Sequence, residues 1–466
     1  MTLSPLRTMK DFFMTRFFRS SRQFVALFTF SALLGAGSAV AGPQIEQWQS
    51  ASGARVLFVE SRALPMVDIQ IDFAAGSAHE PAERAGLAGL VSSLLTAGTS
   101  TLDEQQIAER RADLGARIGT STDDDRSSLS IRSLSSAEEL EASVQLAASL
   151  LADPAFPATV LERERGRSLT ALRELLTKPA ALAGRRFNAL LYAGHPYGHT
   201  TTAETLQAIS REDLVDFHRR HFGANRASIA IVGDLSRERA AALAEQLTRQ
   251  LPALPPAAAL PAPAAVSVHN EHLANPSAQA HILIGQPGMS RDDPDYFPLL
   301  VGNYILGGGG FVSRLTKEVR EQRGFAYSVY SYLAPRQVAG PFQIGLQTRG
   351  SQRAAALEVV DQTLRQFIAD GPSAEELQAA HDNLINGFGL RLDSNAKILD
   401  YVAMIGFYQL PLDWLDTYQG AVKAVDAEQV RSAFSRRIDP ARLITVSAGG
   451  DGDRDGGGNT ETAAQP

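Results

Sequence analysis

The residues whose types could do chemistry are few, and their spacing decides most of them. His79-Glu80 has the composition of a zinc-binding word, but no His follows three residues after Glu80, and Pro81 breaks the helix such ligands need. The pair reads as a loop ahead of a helix. His195 and His199 stand four apart, with Pro196 and Gly198 between them, so a turn is expected rather than one ligand-bearing helix face. His218 and His221 are separated by Arg219 and Arg220, whose charges oppose a bound cation, and a structural or solvated role follows. His269 and His272 are expected to be exposed. Asp123-Asp124-Asp125 lacks the alternating carboxylates and the glycine of a calcium loop and reads as a charged hairpin tip. Gly307 to Gly310 is followed by no Lys-Ser/Thr, which excludes a phosphate loop; the run permits tight turning beside an extended substrate or partner. With no cysteine, the chain has no thiolate zinc site, iron–sulfur cluster, thiol nucleophile or disulfide.

The elements that must position these residues are set by a chain of 466 residues, 44% hydrophobic and 20% charged. That length suits two or three domains of about 100–200 residues each, and aromatics at 7% leave the core to Leu, Ala, Val and Ile. A net charge of −7 argues against nucleic acid as a partner. Arg16, Arg19 and Arg22 precede an apolar run from Phe24 to Gly37, which is shorter than the roughly 20 residues a membrane-spanning helix needs. Ala39-Val40-Ala41 then forms a cleavage word, so residues 1–41 read as a signal peptide. Its removal takes five cations and one acid and leaves a net charge of −11. The expected product is periplasmic and free of the membrane.

Residues 251–265, LPALPPAAALPAPAA, form a Pro/Ala linker between two parts, 43–250 and 266–449; the Gly-rich end, 450–466, is expected to be disordered. The first part reads as strands at 54–58 and 67–73, helices at 85–95 and 102–114, strands at 117–121 and 127–133, helices at 137–151, 158–176, 180–191 and 211–221, and a strand at 227–232. The second reads as a strand at 280–285, helices at 297–305 and 311–322, strands at 326–333 and 342–348, helices at 353–370, 374–390, 395–408 and 427–434, and a strand at 443–447. This order implies tandem α+β domains with helices on one sheet face.

Two segments give the pattern its specificity. Residues 76–99, GSAHEPAERAGLAGLVSSLLTAGT, resemble the zinc-site segment of the pitrilysin/insulinase-type metallopeptidases, and residues 306–329, LGGGGFVSRLTKEVREQRGFAYSV, resemble a segment of that family's second half. HPYG at 195–198 and IVGD at 231–234 also match family words. The resemblance covers about residues 45–448. It implies two tandem homologous domains, each a mainly antiparallel sheet with helices packed on it, together forming one half of a clam shell around a peptide chamber.

Active members of that family carry H-x-x-E-H on a first-half helix, two His binding zinc and the Glu polarising water. Here the corresponding positions are Gly89, Ser92 and Ser93, and the distant third-ligand position falls on Thr170. Neutral hydroxyls and a glycine are poor zinc ligands, so the resemblance implies no metal in this chain. The small residues at 89, 92 and 93 are expected to let that helix face pack closely and partly close the chamber. Arg320 and Tyr327 are kept, and the resemblance assigns such a pair to the substrate carbonyl and the developing oxyanion. Gly308, Gly309 and Gly310 take a weaker substrate-contact role from related processing proteases. The reading is a zinc-free subunit whose Arg320 and Tyr327 act in trans on peptide at the zinc of an H-x-x-E-H-bearing partner. The alternatives are a peptide-binding or scaffold member without hydrolysis, and unrelated catalysis in the chamber.

Overall fold

A computed structural model describes residues 42–452; the signal-peptide reading for 1–41, and the tail reading beyond 452, lie outside those residues. The first half contains β1 (Glu46–Gln49), β2 (Arg55–Glu60), β3 (Met66–Phe73), α1 (Leu87–Leu94), α2 (Glu104–Asp113), β4 (Arg117–Thr122), β5 (Ser127–Leu134), α3 (Ala137–Ala152), α4 (Ala158–Leu175), α5 (Pro179–Leu191), α6 (Ala203–Ala208), α7 (Arg211–His221), β6 (Ser228–Gly233) and α8 (Arg237–Thr248). The second half contains β7 (His269–Leu273), β8 (Gln279–Pro287), α9 (Tyr296–Asn303), β9 (Ser328–Leu333), β10 (Pro341–Arg349), α10 (Arg353–Asp370), α11 (Ala374–Asn386), α12 (Asn395–Tyr408), α13 (Trp414–Ala424), α14 (Ala427–Arg437) and β11 (Ile444–Gly449).

The two sheets run β1-β2-β6-β3-β5-β4 and β7-β11-β8-β10-β9. In each half the last strand of the sequence inserts in parallel beside an early one (β6 beside β2, β11 beside β7), and every other pairing is antiparallel. Setting β1 aside, the two orders superimpose strand for strand, which is the tandem organisation the element order implied.

Strand alternation feeds both faces of each sheet. In β2, Val56 and Phe58 enter one core while Leu57 and Val59 enter another. The expectation of helices on one face is therefore corrected: α12, from the second half, packs on β6, β3 and β2, and α5, from the first half, packs on β11 and β8. The halves exchange equivalent helices. Phe187 and Leu191 of α5 are buried against Ile444 and Val446, and each such side chain contributes about 1.5–3 kcal/mol.

A polar network adds to this joint. The Asp123–Asp125 tip lies between β4 and β5, the charged hairpin tip expected, with Asp123 exposed and Asp125 only 1% exposed. Asp125 accepts hydrogen bonds from the hydroxyls of Tyr197 and Tyr408 (2.8 Å for the latter) and from the Gln337 N–H at 2.9 Å. Asp124 pairs with Arg336 at 2.5 Å. One hairpin tip thus binds the HPYG turn, the end of α12 and the loop after β9.

Candidate functional site

The first candidate region is built on α1. Its N-terminus is held by Glu80, whose two carboxylate oxygens accept the N–H groups of Gly86 and Ala88, both at 2.8 Å. A carboxylate there satisfies donors that a helix leaves open and meets the positive end of its dipole. Glu80 is 5% exposed; burial pushes its carboxyl up to about 7, while the backbone N–H groups pull the other way. The His79-Glu80 word is therefore a helix clamp.

Along α1, Gly89 and Ser93 are exposed and Ser92 is buried. The Ser93 hydroxyl donates to the Leu90 carbonyl at 3.0 Å, and the Ser92 carbonyl accepts from Thr120 of β4 at 2.7 Å. Thr170 is exposed on α4 and donates to Gly166 O at 2.9 Å. The expected close packing of this face is not what forms: a Cβ on Gly89 meets nothing within 4 Å. The short side chains open the helix face, because nothing else moves in to cover it. The donor set does not fit zinc, since a glycine and three aliphatic hydroxyls, two of them already donating to backbone, offer neither imidazole nor carboxylate. Among the described residues, no group of three or more His, Asp or Glu is gathered to hold a metal ion.

The second region begins where α9 runs on into a turn of π-helix, Tyr304–Gly308, followed by a short 3-10 turn, Gly310–Val312, and a second π-helical turn, Thr316–Glu321. This corrects the continuous helix expected over 311–322. Wide turns of this kind recur at functional sites. Gly307 is required by proximity: a Cβ there falls 2.4 Å from both the N and Oγ of Ser331 on β9. Gly308 and Gly309 are crowded by Asn303 and Tyr304, whereas Gly310 (φ +63°) faces open space.

Three arginines of the RLTKEVREQRG string have different fates. Arg314 grips Glu376 through two bonds, at 2.7 and 2.6 Å, and Arg323 pairs with Glu318 at 2.7 Å. Arg320 has no carboxylate partner among the described residues. Its guanidinium lies 5.0 Å from the Phe311 ring centroid and 5.6 Å from that of Tyr327. The structure thus brings Arg320 and Tyr327 together and adds Phe311, which sequence reasoning passed over. The signal available was a bulky apolar residue directly after a glycine run. Tyr327, Phe311 and Val312 are 79%, 71% and 70% exposed, a contiguous stretch of apolar and aromatic surface around one unpaired cation. No hydrogen bond, ion pair or ring contact joins this cluster to Gly89, Ser92, Ser93 or Thr170 among the described residues. Within one chain the two regions are separate.

Three of the other histidines are held by backbone groups. His195 accepts the Tyr197 N–H at Nδ1 (3.1 Å), so Nε2 carries the proton it donates to Pro261 O at 2.8 Å, stitching the HPYG turn to the linker. His218 bonds Leu151 O at 2.8 Å, and His221 bonds Ala74 O at 3.2 Å. Burial, first of all, pushes the His221 imidazole down to about 4. His269 is exposed, but His272 is half-buried between Ser447 (2.9 Å) and Asp451 (3.2 Å), a correction to its expected exposure.

The family profile described as "Insulinase (Peptidase family M16)" matches residues 55–205, and that described as "Peptidase M16 inactive domain" matches 208–384. A crystal structure of a peptidase M16 inactive domain from Pseudomonas fluorescens is 37% identical, covers 87% of this chain and 98% of its own, and superimposes with a TM-score of 0.84. This chain belongs to peptidase family M16, the insulinase family. Among its M16 relatives, a Helicobacter pylori protein described as a non-peptidase homolog is 27% identical over 80% of this chain and 87% of its own. A Bacillus subtilis protein described as an uncharacterized zinc protease is 26% identical over 76% and 86%. The fold is also that of the periplasmic protease PqqL from Escherichia coli, with a TM-score of 0.76 at 17% identity, covering 88% of this chain and 46% of that one. Among the described residues, no helix is long and apolar enough to cross a membrane.

Proposed function

We propose that this M16 chain is the zinc-free subunit of a periplasmic, two-subunit metallopeptidase. In this reading residues 1–41 direct export, 43–250 and 266–449 are the two domains joined by 251–265, and an H-x-x-E-H-bearing homologue is the partner. One observation carries the proposal. The face of α1 lacks every ligand, while Arg320, half-buried and with no carboxylate partner among the described residues, lies beside the exposed ring of Tyr327. The exposed rings of Tyr327 and Phe311 cover no core in the lone chain, which supports a use against a second molecule. The relative described as a non-peptidase homolog supports the first half of this reading. The match to less than half of PqqL supports the second, since that chain has the length for two such units.

The chemistry assigned to this chain is electrostatic. With peptide held at the partner's site, the Tyr327 hydroxyl donates to the substrate carbonyl oxygen as it gains negative charge. Arg320 holds the same region of peptide, kept in place by the rings of Phe311 and Tyr327. The metal and the nucleophilic water belong to the partner. The test is the reconstituted pair with Tyr327→Phe. The expected result is a fall in kcat of roughly 100-fold or more, the usual effect of losing one oxyanion donor, with KM little changed. An unchanged kcat overturns the shared site and favours peptide binding or scaffolding without hydrolysis.

A further inference from the structure

Between the two halves lies a cavity of about 620 Å³, walled by the start of β2, the segment before β6, the linker, the loop after β8 and the end of α12. Its volume falls in the ordinary range for small-molecule sites, about 300–1,000 Å³. Arg55, Arg226 and Arg291 line it, and the one acid among the lining residues, Asp292, is exposed and accepts the Ser290 hydroxyl at 2.6 Å. None of the three arginines has a carboxylate within ion-pair distance among the described residues. Arg226 donates to the carbonyls of Pro255 (2.5 Å) and Arg220 (3.2 Å), which positions it without neutralising it. Arg291 lies 5.2 Å from the Tyr408 ring centroid, and its Nε–H is buried with no acceptor. Alternation along β2 puts Arg55 on the face of Leu57 and Val59, toward α12.

Three half-buried guanidinium groups in one recess repel one another and carry a desolvation cost that a counter-charge offsets. Guanidinium forks match phosphate and carboxylate oxygens in geometry as well as charge.

We propose that this cavity binds a small multivalent anion of the polyphosphate or polycarboxylate class, gripped by Arg55 and Arg226 from the first half and Arg291 from the second. The anion then acts as a clasp between the halves, independently of any peptidase role.

The test is calorimetric titration of the full chain with inorganic pyrophosphate and, separately, with citrate. Binding of pyrophosphate alone assigns the phosphate class and binding of citrate alone the carboxylate class. In each case affinity falls at least tenfold in Arg55→Gln and in Arg291→Gln, and Arg117→Gln, on the exposed end of β4, leaves it unchanged. Arg226→Gln also loosens the linker, so the other two variants are the decisive ones. Absence of binding by both anions at millimolar concentration, or binding that neither Arg55→Gln nor Arg291→Gln weakens, overturns the proposal.

Discussion

Replacing Asp125 by Ala strands three donors at once: the hydroxyls of Tyr197 and Tyr408 and the N–H of Gln337. A donor left without its acceptor in a buried site costs about 1–3 kcal/mol, and bonds to a charged acceptor sit at the upper end. Three of them place the loss on the order of 5 kcal/mol, allowing for a tyrosine hydroxyl to rotate toward another oxygen. Few single substitutions reach that size. Asp125→Asn keeps one carbonyl oxygen and is expected to lose roughly half as much. Because Tyr408 ends a helix of the second half and Asp125 belongs to the first half's hairpin, the loss reports on the joint between halves. Reversible urea unfolding of the full chain measures it. A double-mutant cycle with Tyr408→Phe is expected to show coupling of about 0.5–3 kcal/mol across the joint. An Asp125→Ala protein within about 1 kcal/mol of the parent, or a cycle with no coupling, refutes the reasoning that this buried carboxylate holds the halves together.

Other substitutions test other parts. Gly307→Ala pushes a methyl into the backbone and side chain of Ser331 and is expected to destabilise by about 1–3 kcal/mol, read as a lower midpoint in urea; an unchanged midpoint counts against the close approach. Glu80 is raised in the folded state to about 7 from 4.5, so the unfolded chain gives up this proton first. Stability is therefore lost as pH rises through that window, by up to about 3 kcal/mol, and Glu80→Gln is expected to flatten the slope between pH 5 and 8; superimposable pH profiles contradict it. The open face of α1 is expected to accept Gly89→His, Ser93→His and Thr170→Glu together and to acquire one zinc per chain by elemental analysis; a folded triple variant without zinc removes the assignment of those positions.

What the sequence disclosed followed from local rules. Periodicity located α3, α4, α5, α7 and most strands to within a few residues, and the string from Leu306 to Val329 carried the family. The misses are tertiary. Nothing in α5 or α12 announces that each crosses to the other half, because an apolar face does not name its partner. Asp125 reads as a loop acid until Tyr197, Gln337 and Tyr408, 72 to 283 residues away, close around it. Phe311, read only as the first residue of a helix, is exposed because the chain forms a short 3-10 turn at Gly310–Val312 between two π-helical turns. The distinction between Arg320 and its neighbours Arg314 and Arg323 rests on Glu376 and Glu318: the first is distant in sequence, and the second is a pairing the sequence leaves unspecified.

In the proposed reading this chain contributes Arg320 and Tyr327 to a peptide carbonyl and no metal ligand of its own. The deciding measurement is peptide hydrolysis by the purified chain, alone and after addition of an H-x-x-E-H-bearing homologue, with zinc present and then with a chelator. The expected outcome is no hydrolysis by the chain alone and chelator-sensitive hydrolysis by the pair. Chelator-sensitive cleavage by the lone chain contradicts it.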